Sequence, residues 1–150
     1  MKDVEILKEA RYKAMESMLV AYVVFYLPFI AGSIANYLPI DQLYYVYLLV
    51  PMSIIGAIWL FVALIRLMKV QKSINADEVL KKALNDDQAV ANQSKCFRNA
   101  FFVTLAAIGL GISASSVYPQ ISALLVCYII LFAALFTIGM SWLRYNKKHV

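Results

Sequence analysis

Four uncharged, strongly apolar stretches dominate the chain, and short polar or turn-forming segments separate them. They cover residues 17–38, 43–65, 99–118 and 121–143. Each has the length of about 20 residues that an α-helix needs, at ~1.5 Å per residue, to cross about 30 Å of hydrocarbon. A lone strand would leave its backbone amides unpaired in lipid, so helix is the predicted form. The pattern predicts an all-α, four-helix transmembrane bundle, with residues 1–150 forming a single membrane domain.

The longest polar segment, residues 66–98, lies between the second and third spans and carries helical signals of its own. Asn75 and Glu78 have the spacing of a capping box, and a short apolar face follows them. Residues 85–87 are predicted to form a turn, and a helix beginning at Asp87 is predicted to run directly into the third span. We therefore expect a cytoplasmic helical hairpin between the second and third spans.

Two prolines lie inside the predicted spans, Pro28 in the first and Pro51 in the second. Each removes a backbone hydrogen bond, so we expect a kink in each helix. Such kinks either shape the helices for packing or form a hinge or cavity, as in transporters. No Gly or Pro interrupts the chain before Pro28, so the first helix is predicted to begin in the cytoplasm and continue into the membrane.

The distribution of charge predicts the orientation of the protein. All 14 Lys and Arg residues lie in the N-terminal segment, the central loop or the C-terminal tail, whereas residues 39–42 and 119–120 carry none. The positive-inside rule then places both termini and the central loop in the cytoplasm. This topology, with attraction to anionic lipid, accounts for the formal charge of +5 without a nucleic-acid partner. A short chain with short outer connections suits the inner, cytoplasmic membrane of a bacterial cell.

Residues that could catalyse a reaction or hold a metal are scarce. The single histidine, His149, is penultimate, and the two cysteines, Cys96 and Cys127, are expected at different depths. The spans hold no ionisable residue away from their ends, although a proton-coupled exporter would need one. There is no G-x-S-x-G, no Walker A sequence and no G-x-G-x-x-G that opens a helix. The sequence therefore predicts no enzyme, no metal site and no cofactor.

Small residues recur every four positions along the third and fourth spans. The positions are Ala107, Gly111 and Ser115 on the third span, and Ala133, Thr137 and Ser141 on the fourth. Shorter versions occur at Ala31 and Ala35 on the first span and at Ser53 and Ala57 on the second. Small residues at this spacing let helices approach closely in lipid. The faces either pack within one bundle or remain available to another protein in the membrane.

These features predict a protein that acts by protein–protein interaction in the membrane, as an accessory subunit, an assembly factor, or an immunity- or exclusion-type inhibitor. The alternative is a homo-oligomeric small channel or facilitator for ions or small solutes, suggested by Ser113, Ser115 and Ser116 near the outer ends and by the prolines. The predicted partners are the lipid bilayer and either another membrane protein or a second copy of the chain. A lipid-handling or signalling enzyme is the least favoured function.

Overall fold

The structure, a computed structural model, describes residues 2–35, 42–84, 87–118 and 120–146. These residues are helical apart from short turns, which confirms the all-α prediction. The helices are α1 Lys2–Ala35, α2 Gln42–Asn75, α3 Glu78–Leu84, α4 Asp87–Val117 and α5 Ala123–Asn146. The four long helices, α1, α2, α4 and α5, correspond in order to the four predicted spans. Each is long and apolar enough to cross a membrane, which defines a multi-pass architecture.

Three of the long helices are longer than a bilayer requires. α1 and α2 have 34 residues each and α4 has 31. At ~1.5 Å per residue they measure roughly 46–51 Å, against about 30 Å of hydrocarbon. The sequence predicted that α1 starts well before residue 17 and that α4 starts at Asp87, and both predictions are confirmed. α2 continues past residue 65 to Asn75 because no Gly or Pro stops it.

The continuation of α2 changes how α3 begins. Asn75 is the last residue of α2, so the predicted capping box at Asn75 and Glu78 is wrong. Asp77 caps α3 instead, since its Oδ1 accepts a hydrogen bond from the backbone N–H of Val79 at 2.8 Å. The predicted turn at residues 85–87 lies mostly outside the described residues, because only Asp87, the first residue of α4, is described.

Neither proline ends its helix. α1 continues through Pro28 and α2 through Pro51. The side chain of Pro28 is buried and that of Pro51 is exposed. The predicted kinks at these two positions stay predictions.

The long helices pack side by side in the order α2, α1, α5, α4, and each runs antiparallel to its neighbour. α1 packs along both α2 and α5, and α5 also packs along α4, while α3 contacts α2 and α1. Among the described residues no extended contact joins α2 to α4. The bundle is therefore open, with α2 and α4 as its outer helices. One end of the bundle holds α3, the N-termini of α1 and α4, and the C-termini of α2 and α5. We call this end the basic end.

α1 and α2 meet at a glycine. A Cβ atom on Gly56 would lie 2.6 Å from both the Cα and the backbone N of Phe25. Ala63, two turns further along α2, is 1% exposed. Ala57, which the four-residue spacing had singled out, is exposed. Ser53 is half-buried and donates its hydroxyl to the carbonyl of Leu49 within α2. The face of α2 that contacts α1 is therefore defined by Gly56 and Ala63.

The other two helix contacts use a glycine in the same way. A Cβ on Gly139 of α5 would lie 2.6 Å from Cδ1 of Leu19 on α1. A Cβ on Gly111 of α4 would lie 2.6 Å from Cγ1 of Val126 on α5. In these two cases the atom approached is the end of a side chain, which can move. At Gly56 it is backbone, which cannot.

Gly56→Ala is expected to lower the free energy of unfolding by about 1–3 kcal/mol, because the added methyl group collides with the backbone of α1. The matched control is Gly109→Ala on α4, where no atom lies within 4 Å of the added Cβ. That variant should leave stability unchanged or raise it by up to about 1 kcal/mol through helix propensity. Unfolding of both variants by sodium dodecyl sulfate in mixed micelles measures the difference. Equal stability of the two variants would contradict the close approach at Gly56.

Candidate functional site

Aromatic side chains fill the contact between α1 and α5. Tyr22 is 8% exposed, and its hydroxyl donates a hydrogen bond to the carbonyl of Leu131 at 3.2 Å. Its ring stacks on that of Phe132, with centroids 5.8 Å apart and an interplanar angle of 12°. The whole cluster consists of Tyr22, Phe25, Tyr26 and Phe29 on α1 and Tyr128, Phe132 and Phe136 on α5. Aromatic pairs add stabilisation beyond the area they bury. Because α1 belongs to the first half of the chain and α5 to the second, this cluster stabilises the contact between the two halves.

The aromatic cluster was not among the predictions, although the sequence carries a signal for it. Tyr22 and Tyr26, Phe25 and Phe29, and the three aromatic residues of α5 are each spaced four apart. Residues at that spacing lie on one face of a helix. In an apolar span this spacing is easily overlooked, because hydropathy gives aromatic and aliphatic residues similar weight.

The structure places the predicted small-residue face of α4 against α5. Gly111 lies beside Val126, while Ala107 and Ser115 are half-buried on the same side of the helix. Thr137 of α5 donates its hydroxyl to the carbonyl of Ala133 in its own helix at 2.6 Å. These residues therefore contribute to the α4–α5 contact or to bonds within α5.

The sixth predicted residue, Ser141, takes part in a polar contact at the basic end. The side-chain amide of Asn99 on α4 donates to Oγ of Ser141 at 3.4 Å and to Oη of Tyr145 at 3.2 Å. The ammonium of Lys95 lies 5.9 Å from the centre of the Tyr145 ring, within range of a cation–π interaction. This polar cluster fixes α4 against the last turns of α5.

A second small-residue stripe lies on the opposite face of α4 and is open. With about 100° per residue, Ala106, Gly109, Ser113 and Ser116 share one face, half a turn from Gly111. All four are exposed, and no atom lies within 4 Å of a Cβ built on Gly109. The hydroxyls of Ser113 and Ser116 donate to carbonyls of their own helix. We call these four residues the open face of α4. A regular four-residue spacing does not reveal the open face, because its steps alternate between three and four residues.

A cavity lies at the basic end where α1, α2 and α5 meet. Its volume is about 230 Å³, and the side chains that line it are Arg11, Met15, Leu67, Met68, Gln71 and Trp142. The guanidinium of Arg11 lies 5.6 Å from the centre of the Trp142 ring. The lining combines one cation, one amide and four largely apolar side chains, which suits an amphipathic anionic ligand better than a metal ion.

Groups that ligate metals do not come together in the described part of the chain. No three His, Cys, Asp or Glu residues are close enough there to hold an ion. Cys96 is buried and Cys127 is exposed, and both are free thiols. His149 lies outside the described residues. The predictions of no enzyme, no metal and no cofactor stay predictions.

Comparison with known protein families, with curated proteins and with solved structures finds no match. The described residues define the class of protein by their architecture, which is all-α with four helices long and apolar enough to cross a membrane.

Tyr22→Phe tests the buried contact between α1 and α5. Loss of the hydroxyl leaves the ring stacking intact but removes the bond to Leu131, so the free energy of unfolding should fall by about 0.6 kcal/mol, the average for such bonds in membrane proteins. Tyr47→Phe is the control, because Tyr47 is 75% exposed. Unfolding in mixed micelles should show a loss only for Tyr22→Phe. Identical stability of the two variants would mean that the hydroxyl of Tyr22 contributes nothing.

Proposed function

We propose that this chain is a multi-pass protein of the bacterial inner membrane that acts by binding another membrane protein. In this proposal both termini and α3 lie in the cytoplasm, and the partner packs against the open face of α4. The partner role is that of an accessory subunit, an assembly factor, or an immunity- or exclusion-type inhibitor. The observation that carries the proposal is the stripe of small, exposed residues on α4, an outer helix that packs extensively on α5 alone in the described part of the chain.

The physics of helix association in lipid supports this use of α4. Large apolar side chains alone do not drive helices to associate in a membrane, since lipid tails are equally apolar. A shallow face of small residues gains van der Waals contact, because a second backbone can approach it closely. The described exposed surface of α2, by contrast, consists mainly of large side chains such as Ile54, Ile58 and Phe61, which suit lipid.

The alternative, a homo-oligomeric channel or facilitator, requires polar groups that face a pore. Within the described residues the one buried polar side chain is that of Asn92, near the basic end of α4. Ser113 and Ser116 lie on the open face, so two copies packed through α4 would bring these hydroxyls together. A pore between copies is therefore the form of this alternative that the side-chain positions favour.

Photo-crosslinking distinguishes the two functions. A photoreactive phenylalanine analogue at position 102 would lie in line with the open face of α4, where Phe102 is 62% exposed. The expected result is one discrete adduct with a protein of different mass in native membranes. The matched control is the same analogue at position 58 of α2, where Ile58 is 61% exposed and should give adducts with lipid alone.

Gly109→Leu, combined with the photoreactive residue, should abolish the protein adduct because it fills the open face. Ile108→Phe adds bulk on a different flank and should preserve the adduct. An adduct of twice the mass of this chain would favour the homo-oligomeric alternative. Adducts with lipid alone at both positions would rule out the use of this face.

Cysteine labelling tests the proposed topology. Lys82→Cys in α3 and Gln120→Cys between α4 and α5 both place a thiol at an exposed position, in a variant whose two native cysteines are replaced by Ala. A membrane-impermeant maleimide should label intact cells at position 120 and should label position 82 only after permeabilisation. Labelling of position 82 in intact cells, and of position 120 only after permeabilisation, would show that the topology is the inverse of the one proposed.

A further inference from the structure

The cavity at the basic end has no role in the proposed function, because it lies between α1, α2 and α5 rather than on α4. Its lining is uneven in character. Arg11 brings hydrogen-bond donors, and Gln71 brings an amide that already donates one N–H to Oδ1 of Asn75 at 3.4 Å. Met15, Leu67 and Met68 bring apolar surface. A ligand that matches this lining carries a negative group at one end and an apolar body at the other.

Arg11 supplies the positive charge among the described residues that line the cavity. Its side chain is half-buried, and no ion pair joins it to a carboxylate among the described residues. The carboxylate of Glu9, two residues earlier in the sequence, is paired with Lys13, and both of these side chains are exposed. The ring of Trp142 stabilises the cation through its face, at 5.6 Å. A guanidinium presents its N–H donors in its own plane, where they match the oxygens of a phosphate.

The size and position of the cavity restrict the ligand further. A volume of about 230 Å³ is below the range of about 300–1,000 Å³ that is usual for sites enclosing whole small molecules. The cavity therefore accommodates a headgroup rather than an entire lipid. Trp142 lies near the end of a candidate membrane span, and tryptophan at such positions marks the level of lipid headgroups. Apolar side chains beside the cation would contact the glycerol and the first carbons of an acyl chain.

We propose that this cavity is a binding site for the phosphate of an anionic phospholipid, held by Arg11 and Gln71, with Trp142 as the support for the guanidinium. A zwitterionic phospholipid carries an ammonium or choline group next to its phosphate. The described lining offers this positive group no carboxylate, and its cation, Arg11, does not favour it. The site does not depend on a partner at α4, so the two proposals can fail independently.

Native mass spectrometry of protein released from vesicles tests the site. The vesicles contain phosphatidylcholine with or without phosphatidylglycerol. Wild-type protein should retain phosphatidylglycerol, and Arg11→Gln should lower the ratio of lipid-bound to lipid-free protein at least about tenfold, as expected for the loss of charge-assisted hydrogen bonds. Arg66→Gln is the matched control, because Arg66 is exposed on α2 next to the cavity but does not line it. It should retain the lipid as the wild type does.

Two further measurements keep the proposal falsifiable if Arg11→Gln folds poorly. Leu67→Phe keeps every charge but fills the cavity, and it should lower retention of phosphatidylglycerol without unfolding the protein. Inorganic phosphate, added to protein in detergent without lipid, should leave the Tm unchanged. The proposal is overturned if Arg11→Gln and Arg66→Gln lose lipid equally, because retention would then reflect general surface charge. It is also overturned if Leu67→Phe retains lipid normally, or if phosphate alone raises the Tm of the wild type and not of Arg11→Gln.

Discussion

The distance at which helices can approach each other governs this structure. Membrane helices gain stability mainly from van der Waals contact and hydrogen bonds, since lipid is as apolar as their side chains. Each of the three contacts between long helices contains a glycine where an added Cβ would stand 2.6 Å from the neighbouring helix. Gly56 is the strictest of them because it meets the backbone of Phe25. The aromatic cluster between α1 and α5 follows from the same constraint: Gly139 brings α5 close to α1, and the rings of Tyr22 and Phe132 can then stack.

The open arrangement has a consequence for α4. Among the residues that the structure describes, α1 and α5 each contact two long helices, whereas α4 contacts α5 alone extensively. α4 carries small residues on two opposite faces, and one of these, with Gly111, packs on α5. Around Gly109 on the other face, no described atom lies within 4 Å of an added Cβ. A helix exposed only to lipid has no physical need for small residues on its exposed face, whereas close packing with another helix requires them.

The sequence predicted the helices much better than their contacts. The lengths of the uncharged stretches correctly predicted four long helices. The lack of Gly and Pro before Pro28 correctly predicted that α1 is unbroken. Asn75 was predicted to cap α3 but is the last residue of α2. Hydropathy shows where a membrane span ends, whereas the helix itself continues until a residue or turn ends its backbone hydrogen bonding. The small-residue spacing identified Gly111 but not Gly56, since several registers along α2 contain small residues. Choosing among registers requires knowledge of the partner helix, which local sequence does not contain.

The basic end connects these features, because the last turns of α5 lie between two cations from different helices. Arg11 of α1 lies over Trp142, and Lys95 of α4 lies near Tyr145, three residues further along. Each cation can interact with a ring and with a lipid phosphate at the same depth, so the aromatic residues that anchor α5 also position the charges. Arg11 differs from Lys95 in that it lines a cavity between α1, α2 and α5. Apolar side chains beside Arg11 reduce its contact with water and lower the local dielectric constant. The attraction between its charge and an anion in the cavity is therefore stronger. The close approach of α2 to α1 at Gly56 and of α5 to α1 at Gly139 thus brings together the three helices whose described side chains line the cavity.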